Sequence, residues 1–171
     1  GGCVDMPLCR LHVQVFQPRQ QKIQGTVCLL HGYLEHSGIY QPIIQEILDQ
    51  GFSVITYDLP GHGLSNGSPA SIQNFDHYQQ VLNAVYDAVH HAKQLPRPWL
   101  GIGQSTGGAI WMHHLLEFAE RREDPIVDRV LLLSPLIRPA KTAWWHNSVG
   151  LGIIRRIKSQ VPRHFRRNNH N

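Results

Sequence analysis

The chain has 171 residues and a mass of 19.5 kDa, enough length for a domain with a core of its own. Apolar residues make up 42% and charged residues 16%, which excludes a disordered tail and a coiled coil. Residues 1–128 hold 7 basic and 12 acidic groups, whereas residues 129–171 hold 9 basic and none acidic, so the net charge of +4 averages two unlike segments.

Leu11–Phe16 alternates apolar and polar residues and reads as a strand stopped by Pro18. Gly25–Leu30 is a short, nearly continuous apolar run, the pattern of a strand covered on both faces. Ile39, Ile43, Ile44, Ile47 and Leu48 recur at helical spacing, and Gly51 supplies the stop. Phe52–Tyr57 is another β-branched strand, followed by a turn-rich loop from Pro60 to Ser71. Tyr78, Val81, Leu82, Val85 and Val89 mark one face of a helix. Trp99–Gly103 is a further strand, a helix runs from about Thr106 to Glu120–Glu123, and Val127–Leu133 is the last strand. From residue 25 onward strands and helices alternate, which calls for an α/β fold: a mostly parallel sheet with helices on both faces. After Pro135 the pattern changes to Trp144-Trp145, glycines and basic residues.

Gly103-Gln-Ser-Thr-Gly107 has the form G-x-S-x-G. Alone the pattern is weak, but here it follows a strand and opens a helix, the context of a nucleophile elbow. Ser105 would project its hydroxyl above the sheet from a tight turn. Gly103 and Gly107 would leave room for the neighbouring strand and helix. The helix N-terminus behind Ser105 offers free N–H groups and partial positive charge to a developing oxyanion. The plainer reading is a serine that only caps a helix. His31-Gly32-Tyr33 ends the preceding buried strand, where a second oxyanion donor belongs in such an architecture. The backbone amides of Tyr33 and Thr106 are the expected pair, although an ordinary strand-end turn at Gly32 explains that motif equally well. Asp58-Leu-Pro-Gly-His-Gly-Leu-Ser-Asn-Gly67 is a third glycine-punctuated loop. Asp58, Gly61 and Gly63 are expected to shape a turn rather than to catalyse, because an acid before the serine breaks the Ser…Asp/Glu…His order.

His31-Gly-Tyr-Leu-Glu-His36, Tyr57-Asp-Leu-Pro-Gly-His-Gly-Leu-Ser65, Gly103-Gln-Ser-Thr-Gly-Gly108 and Leu131-Leu-Leu-Ser-Pro-Leu136 occur in this order. Together they resemble the monoacylglycerol lipase / lysophospholipase branch of the α/β-hydrolases, also grouped with the serine aminopeptidase S33-type hydrolases. The resemblance spans roughly residues 10–140. It implies a serine esterase or lipase with a Ser-His-Asp triad and a helical cap. Ser105 would be the nucleophile, and Tyr33 and Thr106 would supply the oxyanion hole. Residues 1–135 would then be the N-terminal part of the hydrolase core, truncated before its last strands, and 136–171 the incomplete start of the cap. Thr106 replaces the commoner Met or Leu after the serine.

The larger departure is that no Asp or Glu lies beyond Asp128. His113 and His114 fall mid-helix behind Ser105, and His146, His164 and His170 lie in the basic segment without a carboxylate nearby in sequence. The triad acid and histidine are therefore expected outside this chain, which would be nearly inactive alone. Metal-ligand spacing and a dinucleotide fingerprint are both absent, so no cofactor or metal is expected. Cys28 is expected to pack in its strand, and Cys3 and Cys9 carry no evident role. With no framework of disulfides and no run approaching ~18 apolar residues, a cytoplasmic location is expected. The basic run from Arg155 to Arg167 suggests a solvated cap surface, with peripheral contact to anionic membrane as the functional variant and no nucleic acid partner. The expected substrate is a small-molecule or lipid ester, such as a monoacylglycerol or lysophospholipid. An S33-type peptidase and a non-catalytic α/β-hydrolase-like binding domain are the alternatives.

Overall fold

The strands are β1 (Gly2–Asp5), β2 (Arg10–Phe16), β3 (Gly25–Leu30), β4 (Phe52–Tyr57), β5 (Trp99–Gln104) and β6 (Arg129–Leu133). The helices are α1 (Gln41–Asp49), α2 (Asp76–Lys93) and α3 (Thr106–Arg121), with a 3-10 turn over Ser37–Tyr40 before α1. This computed structural model describes residues 1–137 except 7, 8, 20, 21, 73 and 94. The expected cap, the Trp144-Trp145 pair and the basic run lie outside the described residues. Gly1–Leu136 form one unit.

The strands form a single sheet in the order β1-β2-β4-β3-β5-β6. β1 and β2 pair antiparallel at one edge, and β4, β3, β5 and β6 run parallel. The parallel register puts Val27, Val54 and Leu100 side by side, and Cys28, Ile55 and Gly101 one step along. Successive residues point to opposite faces of a sheet. Leu29 and Val54 therefore meet Tyr40 and Ile44 of the 3-10 turn and α1 on one face. On the other, Cys28 and Ile55 meet Leu82 and Val85 of α2 and Trp111 of α3. Helices cover both faces, which is why β3 is buried at every residue.

The five apolar residues predicted for the α2 face are all buried, at 5% exposure or less. The expectation for the first helix needs correction. Ile39 lies in the 3-10 turn, and Pro42 sits in the first turn of a helix that opens only at Gln41. Of the five residues expected to share its inner face, Ile39 and Ile43 are exposed, while Ile44 is buried and Ile47 and Leu48 pack partly against the core. β6 begins at Arg129 rather than Val127. The Asp128 amide donates to the Trp99 carbonyl (2.7 Å) and its carboxylate accepts from the Trp99 amide (2.7 Å), so Asp128 closes the edge before the ladder starts. β1 had no sequence signal, being four mostly exposed residues.

Helix α3 crosses the sheet at very short range. A Cβ on Gly107 would lie 2.4 Å from the Leu30 carbonyl oxygen, and one on Gly103 would lie 2.4 Å from the Gly107 carbonyl. Further along α3, Trp111 covers Gly101, where a Cβ would come within 2.8 Å of the indole. His114 of α3 is fully buried. Its Nε2 lies 3.2 Å from the Ile126 amide nitrogen and its Nδ1 lies 2.7 Å from Gln79 Nε2 of α2. Burial first, and then neighbouring His113, push the His114 pKa down to about 4. Burial likewise pushes the Cys28 thiol up to about 12, leaving it a packing group.

Two outcomes are expected. Gly107→Ala should destabilise the protein by about 1–3 kcal/mol in urea unfolding, because the clash is with backbone; an unchanged midpoint would contradict the close crossing. A histidine whose folded pKa is depressed adds nothing above its unfolded pKa of about 6.5 and subtracts stability as pH falls from there toward its folded value. Stability should therefore decline between about pH 6.5 and 4, with His114 contributing up to ~1.4 kcal/mol per pH unit. His114→Asn should flatten that decline, and an identical slope in wild type and variant would rule His114 out as its source.

Candidate active site

The turn between β5 and α3 is built on Ser105, with φ 47° and ψ −108°. L-residues rarely adopt such angles, and holding one there costs about 1–3 kcal/mol. Three backbone hydrogen bonds fix it. The Ser105 amide donates to the Leu133 carbonyl (3.0 Å), and its carbonyl accepts from the amides of Ala109 (3.0 Å) and Leu136 (2.9 Å). The side chain is half-buried, and among the described residues its hydroxyl has no hydrogen-bond partner. Thr106 is the first residue of α3, so its amide precedes the intrahelical ladder and donates to no group among the described residues.

The loop after β3 meets this turn. A Cβ on Gly32 would stand 3.3 Å from Ser105 Cβ. His31 is fully buried. Its Nδ1–H donates to the Gly32 carbonyl (2.7 Å) and its Nε2 accepts from the Leu59 amide (2.9 Å). Burial is the main reason that its pKa is lowered, against the Gly32 hydrogen bond, which raises it. A neutral ring with one donor and one acceptor matches both bonds. The Tyr33 amide has no acceptor among the described residues. Its hydroxyl donates to the Ala70 carbonyl (3.0 Å), and its ring packs edge-on against His62, with centroids 5.7 Å apart.

The loop after β4 is organised by Asp58. The carboxylate accepts from the Ser37 amide and hydroxyl (both 2.7 Å) and from the Leu64 amide (2.8 Å). Burial alone would raise its pKa; the hydrogen bonds from Leu64 and Ser37 outweigh that and hold it below the usual carboxylate value. Gly63, at φ +52°, lets the loop close: a Cβ there would lie 2.2 Å from Asp58 Oδ2. Gly61 is also at positive φ, with no room for a Cβ beside the Ser68 carbonyl.

The structure thus brings Ser105, Thr106, Gly32 and Tyr33 together. It leaves Asp58 one loop away, with its carboxylate spent on Ser37 and Leu64. His113 and His114 are engaged elsewhere, His113 with Asp76 at 3.1 Å. No histidine or carboxylate bonds Ser105 among the described residues, and no group of three or more metal-binding side chains gathers among them. Sequence reasoning gave no role to Glu35, Ser37, Tyr40 or Gln104. Glu35 accepts from the Gly32 amide (2.8 Å) and the Tyr40 hydroxyl (2.5 Å), and Tyr40 reaches Gln104 at 2.6 Å. Their signal was positional only: an acid three residues past Gly32, and a polar side chain directly before Ser105.

A family model described as "Serine aminopeptidase, S33" matches residues 21–169. Phospholipase YtpA of Bacillus subtilis is 26% identical over 113 residues, covering 66% of this chain and 41% of that protein. Monoacylglycerol lipase of Mycolicibacterium smegmatis is 32% identical over 88 residues, covering 51% of this chain and 31% of that protein. The crystal structure of a Paleococcus ferrophilus monoacylglycerol lipase superposes with a TM-score of 0.60 at 26% identity, over 78% of this chain and 47% of that one. The chain spans less than half the length of these relatives. With the sheet order, the helices on both faces and a family match over residues 21–169, the chain belongs to the serine aminopeptidase S33 family of α/β-hydrolases.

Proposed function

We propose that this chain carries the nucleophile and oxyanion hole of a serine hydrolase acting on carboxylic esters. The observation that carries the reading is Ser105 held at φ 47°, close against Gly32, with its hydroxyl and the following Thr106 and nearby Tyr33 amides all without a partner among the described residues. In the proposed reaction Ser105 Oγ attacks the ester carbonyl. Charge develops on the carbonyl oxygen and is met by the Tyr33 and Thr106 N–H groups, at the positive end of α3. The tetrahedral species expels the alcohol and leaves an acyl group on Ser105, which water then removes. Each oxyanion donor contributes about 10²–10³ in rate in comparable sites.

The hydroxyl needs a general base, and the described residues bring none to it. The base and its carboxylate are therefore proposed to come from other parts of the protein, leaving this chain by itself close to inactive. Residues 1–135 are proposed as the core portion and residues 136–171 as the beginning of a cap.

The substrate is proposed to be a monoacylglycerol or lysophospholipid. The names of the relatives support this. So do the exposed apolar side chains of Leu34, next to Tyr33, and Leu64, in the Asp58 loop, at 72% and 76% exposure. A second reading, hydrolysis of peptides, has one observation in its favour, the aminopeptidase description of the family. No described helix is long and apolar enough to cross a membrane.

The full-length protein containing this chain should turn over p-nitrophenyl butyrate and monoacylglycerol, and Ser105→Ala should lower kcat by about 10⁴-fold or more. The 171-residue chain should retain only a trace of that rate. Turnover unaffected by Ser105→Ala would refute the assignment. Faster cleavage of aminoacyl p-nitroanilides than of esters would favour the peptidase reading.

A further inference from the structure

We propose that Glu35, Tyr40 and Gln104 form a positioning strut that sets the Tyr33 amide against Ser105, an inference that rests on the reading of those two groups as oxyanion donor and nucleophile. The strut starts in the core. Tyr40 is 4% exposed, and its ring packs with Leu29, Ile44 and Val54. Such packing fixes the ring, so the hydroxyl at its tip has little freedom. That hydroxyl lies 2.5 Å from Glu35 Oε2 and 2.6 Å from Gln104 Oε1. Burial, and then the Glu35 hydrogen bond, raise the Tyr40 pKa, so the phenol keeps its one proton, which it donates to one of these two oxygens at a time.

Each end of the strut touches one half of the site. Glu35 Oε2 also accepts from the Gly32 amide at 2.8 Å, one residue before Tyr33. Gln104 is the last residue of β5, one residue before Ser105. Gly32 is the point where the halves meet: a Cβ there would lie 2.8 Å from Glu35 Oε2 and 3.3 Å from Ser105 Cβ. The carboxylate and the serine therefore stand close against one glycine. A charged acceptor taking two short hydrogen bonds in a half-buried setting is a strong tie. It fixes the His31–Gly32 peptide, and with the Gly32 carbonyl held by His31 Nδ1–H it limits the rotation that aims the Tyr33 N–H. The loop's ties from His31 to Leu59, from Tyr33 to Ala70 and from Ser37 to Asp58 lead to the loop after β4 and not to the elbow. Among the described residues, the Glu35–Tyr40–Gln104 path is a side-chain route that links the loop to the β5–α3 turn.

Oxyanion donors act within about 2.7–3.1 Å of the developing charge, and a misplacement of ~1 Å can cost about 10² in rate. A stability role alone would lower the folded fraction without separating kcat from KM. The test uses the full-length protein with p-nitrophenyl butyrate. Glu35→Ala should lower kcat by about 10–10²-fold with KM within about twofold. Tyr40→Phe should act in the same direction, and the double variant should be no worse than the more damaging single one. Glu35→Gln should recover most of the loss, because its amide oxygen still accepts from Gly32. Hydrogen exchange should quicken at Gly32–Leu34 in Glu35→Ala and stay unchanged in α2. An active wild type whose kcat survives Glu35→Ala would overturn the strut alone. If the wild type turns over no ester, the Ser105 reading has failed, and unchanged exchange at Gly32–Leu34 in Glu35→Ala would overturn the strut as well.

Discussion

The backbone at Ser105 is the constraint on which the rest is arranged. A serine at φ 47° and ψ −108° stores about 1–3 kcal/mol of strain. It persists because its surroundings leave no alternative. The amide is tied to Leu133 at the end of β6, and the carbonyl holds both Ala109 in α3 and Leu136 after β6. Gly103 and Gly107 lie so close that neither tolerates a side chain. Relaxing the turn would break the β5–β6 edge and lift α3 from the sheet together. The energy that holds the serine upright thus comes from packing of elements distant in sequence.

The two loops beside the turn are stiffened by buried polar groups. His31 is neutral because burial disfavours its charge, and a neutral ring can donate to Gly32 while accepting from Leu59. Asp58 keeps its charge because three donors surround it. Each group is costly to bury without partners and each has them. The loops after β3 and β4 are consequently fastened to one another, and Tyr33 adds a ring and a hydroxyl contact to the second loop.

Much of this was legible in the sequence because periodicity carries the strongest signals. The unbroken apolar run of β3 announces burial on both faces, and the α2 residues fall on one stripe. Ile39 and Ile43 show the limit of that reasoning: they match a helical spacing, but the helix opens only at Gln41 and both face solvent. β1 is too short and too exposed to leave a pattern, and only pairing with β2 defines it. The turn at Ser105 was visible because its glycines are local in sequence. The contacts of Tyr40 were not, since they join residue 40 to residue 104 through side chains whose meeting depends on the folded sheet.

The central claim is that Ser105 Oγ attacks while the Tyr33 and Thr106 amides hold the oxyanion. A crystal structure of the full-length protein after reaction with an alkyl fluorophosphonate tests it most directly. The account predicts phosphorus bonded to Ser105 Oγ, with the phosphonyl oxygen about 2.7–3.1 Å from both amide nitrogens. An adduct on another residue, or an oxygen directed at neither amide, would contradict it.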